Sequence, residues 1–422
     1  MNTLNSLPGP DDIYREVLPN GITVLARSNF NSPSVVVAGF FEAGALFDPD
    51  EKLGLAEYTV LSLMRGTKKR SFDEIYNSLE SVGAGLGFNT GVHKSGFNGR
   101  SLAEDLPLLL DLLYEALTMP VFPKAEMEKL RAQLLTGLAI RAEDTSDMAS
   151  MVFDNILFKG HPYSRPEDGF PETISKIKRE DLVRFHREHY GPRGMVIAIV
   201  GGVKPEDAVK HVKRALGGWQ VKDQKETPAL PPLKSLKKSV NKHHRIPGKS
   251  QSDLIIGTNG PMRRDPEFMP ASIGNNILGQ FGMMGRIGDV VREKSGLAYY
   301  AYSSLSAGLG PGSWEVSAGV NPQNVKKASA LILDELKRFV QEGVTADELA
   351  DTKANFVGRL PLSLESNGGV ANALLNIERH QLGLDYYYRY QDLVNEVTAE
   401  DVLTTARKFI DPEKLVIAIA GP

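Results

Sequence analysis

The feature that most constrains this chain is that it repeats itself. Residues 177–203 read IKREDLVRFHREHYGPRGMVIAIVGGV, and residues 397–422 read VTAEDVLTTARKFIDPEKLVIAIAGP. Each segment opens on an acidic helix start, Glu180-Asp181 in one and Glu400-Asp401 in the other. Each continues as an amphipathic helix, turns at a proline and ends in an apolar strand, Met195–Val200 or Leu415–Ala420. The offset is about 220 residues, close to half of the 422 in the chain. Residues 124–138 (KAEMEKLRAQLLTGL) and 345–360 (TADELADTKANFVGRL) match at a similar offset. A chain this long exceeds what one core usually supports, and the repeat says that the two expected domains are copies of one plan.

Between the copies lies 219–248, which holds Pro228, Pro231, Pro232, Pro247 and many lysines. It reads as a linker running into a first strand. The expected domains are therefore 1–218 and 249–422. The lysine run is not read as a nucleic-acid patch, because only Trp219 offers an aromatic platform there. A net charge of -3 supplies no field for nucleic acid or a membrane surface. The absence of cysteine removes disulfides, thiol nucleophiles and thiolate metal sites. No run of about 18 apolar residues suggests a membrane span. The polar opening MNTLNSLPGPDD lacks the apolar core of a signal peptide, so a cytoplasmic location is expected.

Periodicity places strands at Ile22–Ala26 and Ser34–Phe41 after the Asn20-Gly21 turn, and paired strands near Leu86–Asn89 and Phe97–Leu102. Helical spacing covers roughly 54–64, 71–82, 105–118 and 124–141. In the second half, strands are expected at Tyr299–Ser306 and Trp314–Val320 and a long helix at 323–341. Strand pairs alternating with helices give an α+β domain used twice, each copy a mainly antiparallel sheet packed with helices.

Three segments give the chain a family likeness. They are Asn20-Gly21-Ile22-Thr23-Val24 with the later turn Glu42-Ala43-Gly44-Ala45; Leu53-Gly54-Leu55-Ala56 followed by Met64-Arg65-Gly66-Thr67; and Arg292-Glu293-Lys294-Ser295-Gly296-Leu297-Ala298-Tyr299. Over nearly its whole length the chain resembles the pitrilysin/insulinase metallopeptidases, the inverted zincins, and within them the mitochondrial-processing-peptidase-like two-domain subunits of bacteria. The resemblance implies a duplicated fold that forms half of a clamshell around a peptide chamber.

It also implies a zinc motif, H-x-x-E-H, on a helix. Imidazoles at i and i+4 share a helix face and converge on one ion, while the glutamate polarises the metal-bound water. The sequence contains no H-x-x-E-H. The resemblance puts the motif at 57–61, where Glu57-Tyr58-Thr59-Val60-Leu61 stands. Glu57 replaces the first histidine, Val60 the base and Leu61 the second histidine. The third ligand, a glutamate, is expected on the helix near 130–140, yet no acid occurs from Lys129 through Ala142. No metal site is therefore expected in this chain, and zinc is expected in a partner. The corresponding second-half helix carries Asn275 and Asn276 but no imidazole or carboxylate.

Other histidines admit two readings each. His186-Arg187-Glu188-His189 puts two imidazoles at i and i+3, a possible metal pair, but its repeat counterpart near Ala406–Phe409 has none and a structural role is favoured. His161 reads as a turn residue, His243-His244 as solvated, and His93 as facing solvent or a local partner.

The resemblance assigns the second domain an arginine and a tyrosine seven residues apart that bind the substrate carbonyl and its developing oxyanion. Here they are Arg292 and Tyr299. A guanidinium and a phenol are fixed donors suited to that charge. Without the resemblance, the favoured reading is Arg292 as part of a solvated surface run and Tyr299 as core. Arg292 is expected in the last turn of a helix closed by Gly296, with the chain then reversing into a strand. Just before it, Gly282, Gly285 and Arg286 flank Met283-Met284, which read as a pliant peptide surface or as core.

The functional expectation is the non-zinc subunit of a heterodimeric processing-type peptidase. It would supply Arg292 and Tyr299 to a zinc-bearing homologue acting on unfolded peptides. The alternative is a non-catalytic structural or peptide-binding homologue that pairs with itself as a homodimer.

Overall fold

The protein is described here by a computed structural model covering residues 7–282 and 285–422. The Met283-Met284 pair lies outside the described residues. Eleven strands are described: β1 (Tyr14–Val17), β2 (Thr23–Ser28), β3 (Ser34–Phe41), β4 (Gly85–Thr90), β5 (Ser95–Leu102), β6 (Val196–Gly201), β7 (Val240–Arg245), β8 (Ser252–Asn259), β9 (Ala298–Leu305), β10 (Ser313–Val320) and β11 (Val416–Gly421).

They form a six-stranded sheet in the order β1-β2-β6-β3-β5-β4 and a five-stranded sheet in the order β7-β11-β8-β10-β9. Setting β1 aside, the two orders are the same when the halves are overlaid. β2 pairs with β6 and β7 with β11 in parallel, and all other pairings are antiparallel. The duplication read from the sequence is thus present in the topology, and the α+β class holds. The strands expected at Ser34–Phe41 and Trp314–Val320 form with those residues or one more, and the helices lie at Leu55–Ser62, Phe72–Glu80, Leu106–Thr118, Lys124–Glu143 and Val325–Glu342. Among the described residues no helix is long and apolar enough to cross a membrane.

The chain condenses into two compact units. The first contains the described residues up to Leu138 with Pro166–Ala229 and Leu360–Tyr388; the second contains Ala139–Arg165, Leu230–Arg359 and Arg389–Pro422. Each unit therefore includes a segment from the other half of the sequence.

The reason lies in the sheets. In the second unit Leu254 and Ile256 of β8 face a core built by helices Phe268–Gly279, Val325–Glu342 and Ala399–Phe409, through Ile273, Phe339 and Val402. The intervening Ile255 points the other way, as the period of two requires. It joins Val416 and Ala418 of β11 under Ala149, Phe153 and Leu157 of helix Thr145–Leu157. A sheet with two apolar faces needs cover on both, and that helix supplies the second cover. Helix Asn367–His380 packs on β3 and β6 of the first unit in the corresponding place.

Phe153 is fully buried. Phe153→Ala is expected to destabilise the protein by about 3–5 kcal/mol. Chemical denaturation of the two proteins, followed by circular dichroism, measures the difference.

Candidate functional site

Helix Leu55–Ser62 carries the positions assigned to the zinc motif. Its start is set by Asp48, whose carboxylate accepts the amides of Gly54 and Ala56, both at 2.9 Å. Gly54 sits at φ +90°, and a Cβ there would come within 2.5 Å of Ile174, so glycine is the residue that fits.

Along this helix Tyr58, Thr59 and Val60 are fully buried, and Leu61 packs against the core of the first unit. Thr59 Oγ1 donates to the Leu55 carbonyl at 2.7 Å, and Ser62 Oγ donates to that of Tyr58 at 2.7 Å. Tyr58 OH donates to the Met127 carbonyl at 2.6 Å, and burial pushes its phenol up to about 12. The facing helix, Lys124–Glu143, presents Arg131 to this ring at 5.4 Å. The Arg131 guanidinium donates to the carbonyls of Ile174 and Ile177. Lower on that helix, Gln133 accepts from Arg65 at 3.0 Å.

A zinc ion does not fit this donor set. Val60 and Leu61 are hydrocarbons, and the surrounding polar groups are spent on backbone or on one another. Glu126 and Glu128 are the acids of the facing helix's first turns, and they pair with Lys129 and Arg131. Among the described residues no three His, Asp or Glu side chains are grouped as a metal would need.

The histidines fall into packing roles. His189 stacks on Phe47 at 4.0 Å and lies 4.5 Å from Phe185. Burial, with the Lys225 ammonium adding to it, lowers its imidazole to about 4. His186 Nε2 hydrogen-bonds the Leu117 carbonyl at 2.8 Å, its ring lies 4.6 Å from Tyr190, and burial lowers its pKa too. The i,i+3 pair is thus held by separate neighbours. His161 Nδ1 accepts the Tyr163 amide at 3.2 Å, as a turn residue should. His243 is exposed and His244 partly so, both on edge strand β7.

The second unit places Arg292 in a π-helical turn, Asp289–Glu293, a class of turn that recurs at functional sites. Gly296, at φ +60°, donates its amide to the Arg292 carbonyl at 2.9 Å and so closes the turn. Arg286, just upstream, anchors the segment: its guanidinium binds Glu348 through two contacts of 2.6 Å. Burial raises the Glu348 carboxyl, but Arg286 and the hydrogen bonds from Thr345 together outweigh it and hold the acid down at about 2. The Arg292 side chain is 36% exposed, with Glu293 at 3.6 Å.

Tyr299 is 84% exposed. It is the extra residue of a β-bulge: the ladder pairs Tyr300 with Gly319 and Ala298 with Val320, and skips Tyr299. Bulges re-aim a side chain and cluster near active sites. The strand expectation at Tyr299–Ser306 carried no hint of it. Among the described residues no hydrogen bond joins Arg292 to Tyr299; the fold brings them to one short connection, both reaching solvent.

The sequence reading missed Asp253. It lies on β8, is 1% exposed and accepts hydrogen bonds from Tyr300 OH, Thr145 Oγ1 and Gln251 Nε2, the last at 3.1 Å to each oxygen. A lone acid inside the apolar run Ser252-Asp253-Leu254-Ile255-Ile256 was the available signal.

His189 also makes stability depend on pH. Its ordinary value is 6.5 and its folded value about 4, so between these the unfolded chain binds the extra proton. Stability is expected to be undiminished above about pH 6.5 and to fall as pH drops toward about 4. His189→Phe is expected to flatten that part of the Tm-against-pH curve; an unchanged slope would mean another group is responsible.

Comparison with known proteins bears on all of this. Residues 23–166 match the model of the insulinase family, peptidase family M16, and residues 176–356 match that of the peptidase M16 inactive domain. An uncharacterized zinc protease of Streptomyces coelicolor is 26% identical over 422 aligned residues, covering 98% of this chain and 90% of the relative. A crystal structure described as peptidase M16 inactive domain, from Pseudomonas fluorescens, superposes with TM-score 0.91 at 26% identity over 97% of this chain and 98% of that one. A protease structure from Helicobacter pylori, 19% identical over 99% of this chain and 100% of that one, shares the fold with TM-score 0.91. With the two family models matching residues 23–166 and 176–356 in succession and the fold matched over nearly the whole chain, the chain belongs to the M16, or insulinase, family of peptidases.

Proposed function

We propose that this chain is the non-zinc subunit of a processing-type M16 metallopeptidase. In this reading a homologous subunit carries the zinc and its water, and this chain supplies Arg292 and Tyr299 to the substrate. The observation that carries it is the contrast between the two candidate positions. Val60 is sealed in a hydrocarbon core, whereas Tyr299 stands 84% exposed on a bulge a few residues after a partly exposed arginine. A core tyrosine would be buried, and an exposed large aromatic outside the ladder suits a binding surface better than a packing one.

The chemistry assigned is electrostatic. As water adds to a peptide carbonyl, negative charge grows on its oxygen. A guanidinium and a phenol hydroxyl aimed at that oxygen stabilise the transition state more than the ground state. Zinc in the partner would supply the activated water. Unfolded peptides are the expected substrates.

Mixing this chain with a zinc-bearing homologue is expected to produce peptidase activity that neither shows alone. Arg292→Ala and Tyr299→Phe in the mixture should each lower kcat by roughly 100- to 1,000-fold, the usual loss of one oxyanion donor. Activity that persists unchanged in both variants would refute the reading. Stoichiometric zinc in this chain purified alone, found by elemental analysis, would instead show that it rebuilds a metal site of its own.

A further inference from the structure

Tyr299 has no ladder partner to hold it, so something else must fix where it emerges. The candidates lie in the next residue. Tyr300 sits opposite Gly319 of β10, and Gly319 sits opposite Asp253 of β8. The three positions form one row across three strands. Neighbouring strands stand about 4.8 Å apart, so Tyr300 and Asp253 start roughly 10 Å from each other. Only a phenol crossing above an empty middle position can close that gap. Gly319 leaves it empty: a Cβ there would lie 2.5 Å from the Tyr300 ring, 2.7 Å from Gln251 Nε2 and 3.0 Å from Asp253 Oδ1. Tyr300 OH does donate to Asp253 Oδ1.

Asp253 is an unusual residue for that place. It is almost wholly buried, and the side chains that donate to it are all neutral: two hydroxyls and one amide. Burying a carboxylate without a cation is costly, and hydrogen bonds offset only part of the cost. An apolar residue would serve the sheet better if stability were the only demand. What the carboxylate does in geometric terms is hold one atom, the Tyr300 hydroxyl, on the residue that follows the bulge.

We infer that Asp253 is a positioning residue: through Tyr300, over the gap left by Gly319, it fixes the bulge that presents Tyr299 to the substrate. This rests on the reading of Tyr299 as a substrate-binding donor. Thr145 and Gln251 occupy the remaining lone pairs of Asp253 and keep the carboxylate turned toward β9. Desolvation and the adjacent carboxylate raise the Tyr300 phenol well above its ordinary value, so it remains a donor at physiological pH.

The test uses the full-length chain with a single 3-fluorotyrosine at position 299, alone and mixed with a zinc-bearing homologue. Tyr300→Phe deletes one hydroxyl and leaves Asp253 with Thr145 and Gln251, so it carries the experiment even if Asp253→Ala does not fold. Tyr300→Phe is expected to shift or broaden the fluorine resonance of residue 299. In the mixture it should lower kcat by about 10- to 100-fold, the scale of an ångström-sized misplacement, with KM and Tm little changed. Combining Tyr300→Phe with Asp253→Ala should lose no more kcat than Tyr300→Phe alone, because both act through one link. A fluorine resonance and a kcat both untouched by Tyr300→Phe would overturn the inference, as would a loss explained by a lowered Tm. If Arg292→Ala and Tyr299→Phe leave activity intact, the parent reading fails, while the fluorine spectrum still decides whether Asp253 and Tyr300 set the position of residue 299.

Discussion

The constraint on which the rest of the structure depends is that each sheet is apolar on both faces. β6 reads Val196-Ile197-Ala198-Ile199-Val200-Gly201, and every one of these residues is buried. β8 sends Leu254 and Ile256 one way and Ile255 the other, each into a different apolar cluster. Helices following in the same half of the sequence cover one face. The second face is closed by Thr145–Leu157 in one unit and Asn367–His380 in the other, each borrowed from the opposite half. The duplicated sequence thus folds into units that are discontinuous along the chain.

That arrangement shapes what the second unit can present. In the strand order of this sheet β9 lies at one edge, and the edge is where a bulge costs the ladder least. The bulge falls at Tyr299, directly after the turn that Gly296 closes and two strands from a buried carboxylate. In the first unit the equivalent investment is absent. Helix Leu55–Ser62, to which the sequence resemblance assigns the zinc motif, is filled by Tyr58, Val60 and Leu61, and its neighbour presents Arg131 and Gln133. In magnitude, one well-placed oxyanion donor stabilises a transition state by about 2.7–4 kcal/mol. That is useful to a metal-activated water and insufficient without one.

The sequence made the duplication legible because helix 179–189 and helix 399–409 must each start with an acid and end against a buried strand, and those demands leave residues at a fixed spacing. That Val60 and Leu61 offer no metal ligand was also legible, because hydrocarbon side chains cannot ligate a metal in any fold. Three things were not legible. The cover that helix Thr145–Leu157 provides depends on a partner strand, β11, some 260 residues away, and no local pattern encodes that choice. The bulge at Tyr299 hides inside Ala298-Tyr299-Tyr300-Ala301-Tyr302, which alternates well enough to pass for regular strand. Asp253 looks like a strand-terminal acid until Gly319 and Tyr300 are seen beside it, and glycine inside a strand was the clue that a close approach occurs there.

What the proposed function requires above all is that Tyr299 touch the substrate. A photoreactive benzoylphenylalanine at position 299, in the full chain mixed with a zinc-bearing homologue, tests this contact directly. Irradiation in the presence of a peptide substrate should join the label to the peptide, and an excess of unlabelled peptide should suppress the product. Intramolecular cross-links alone, with no peptide adduct at saturating substrate, would contradict the role given to Tyr299.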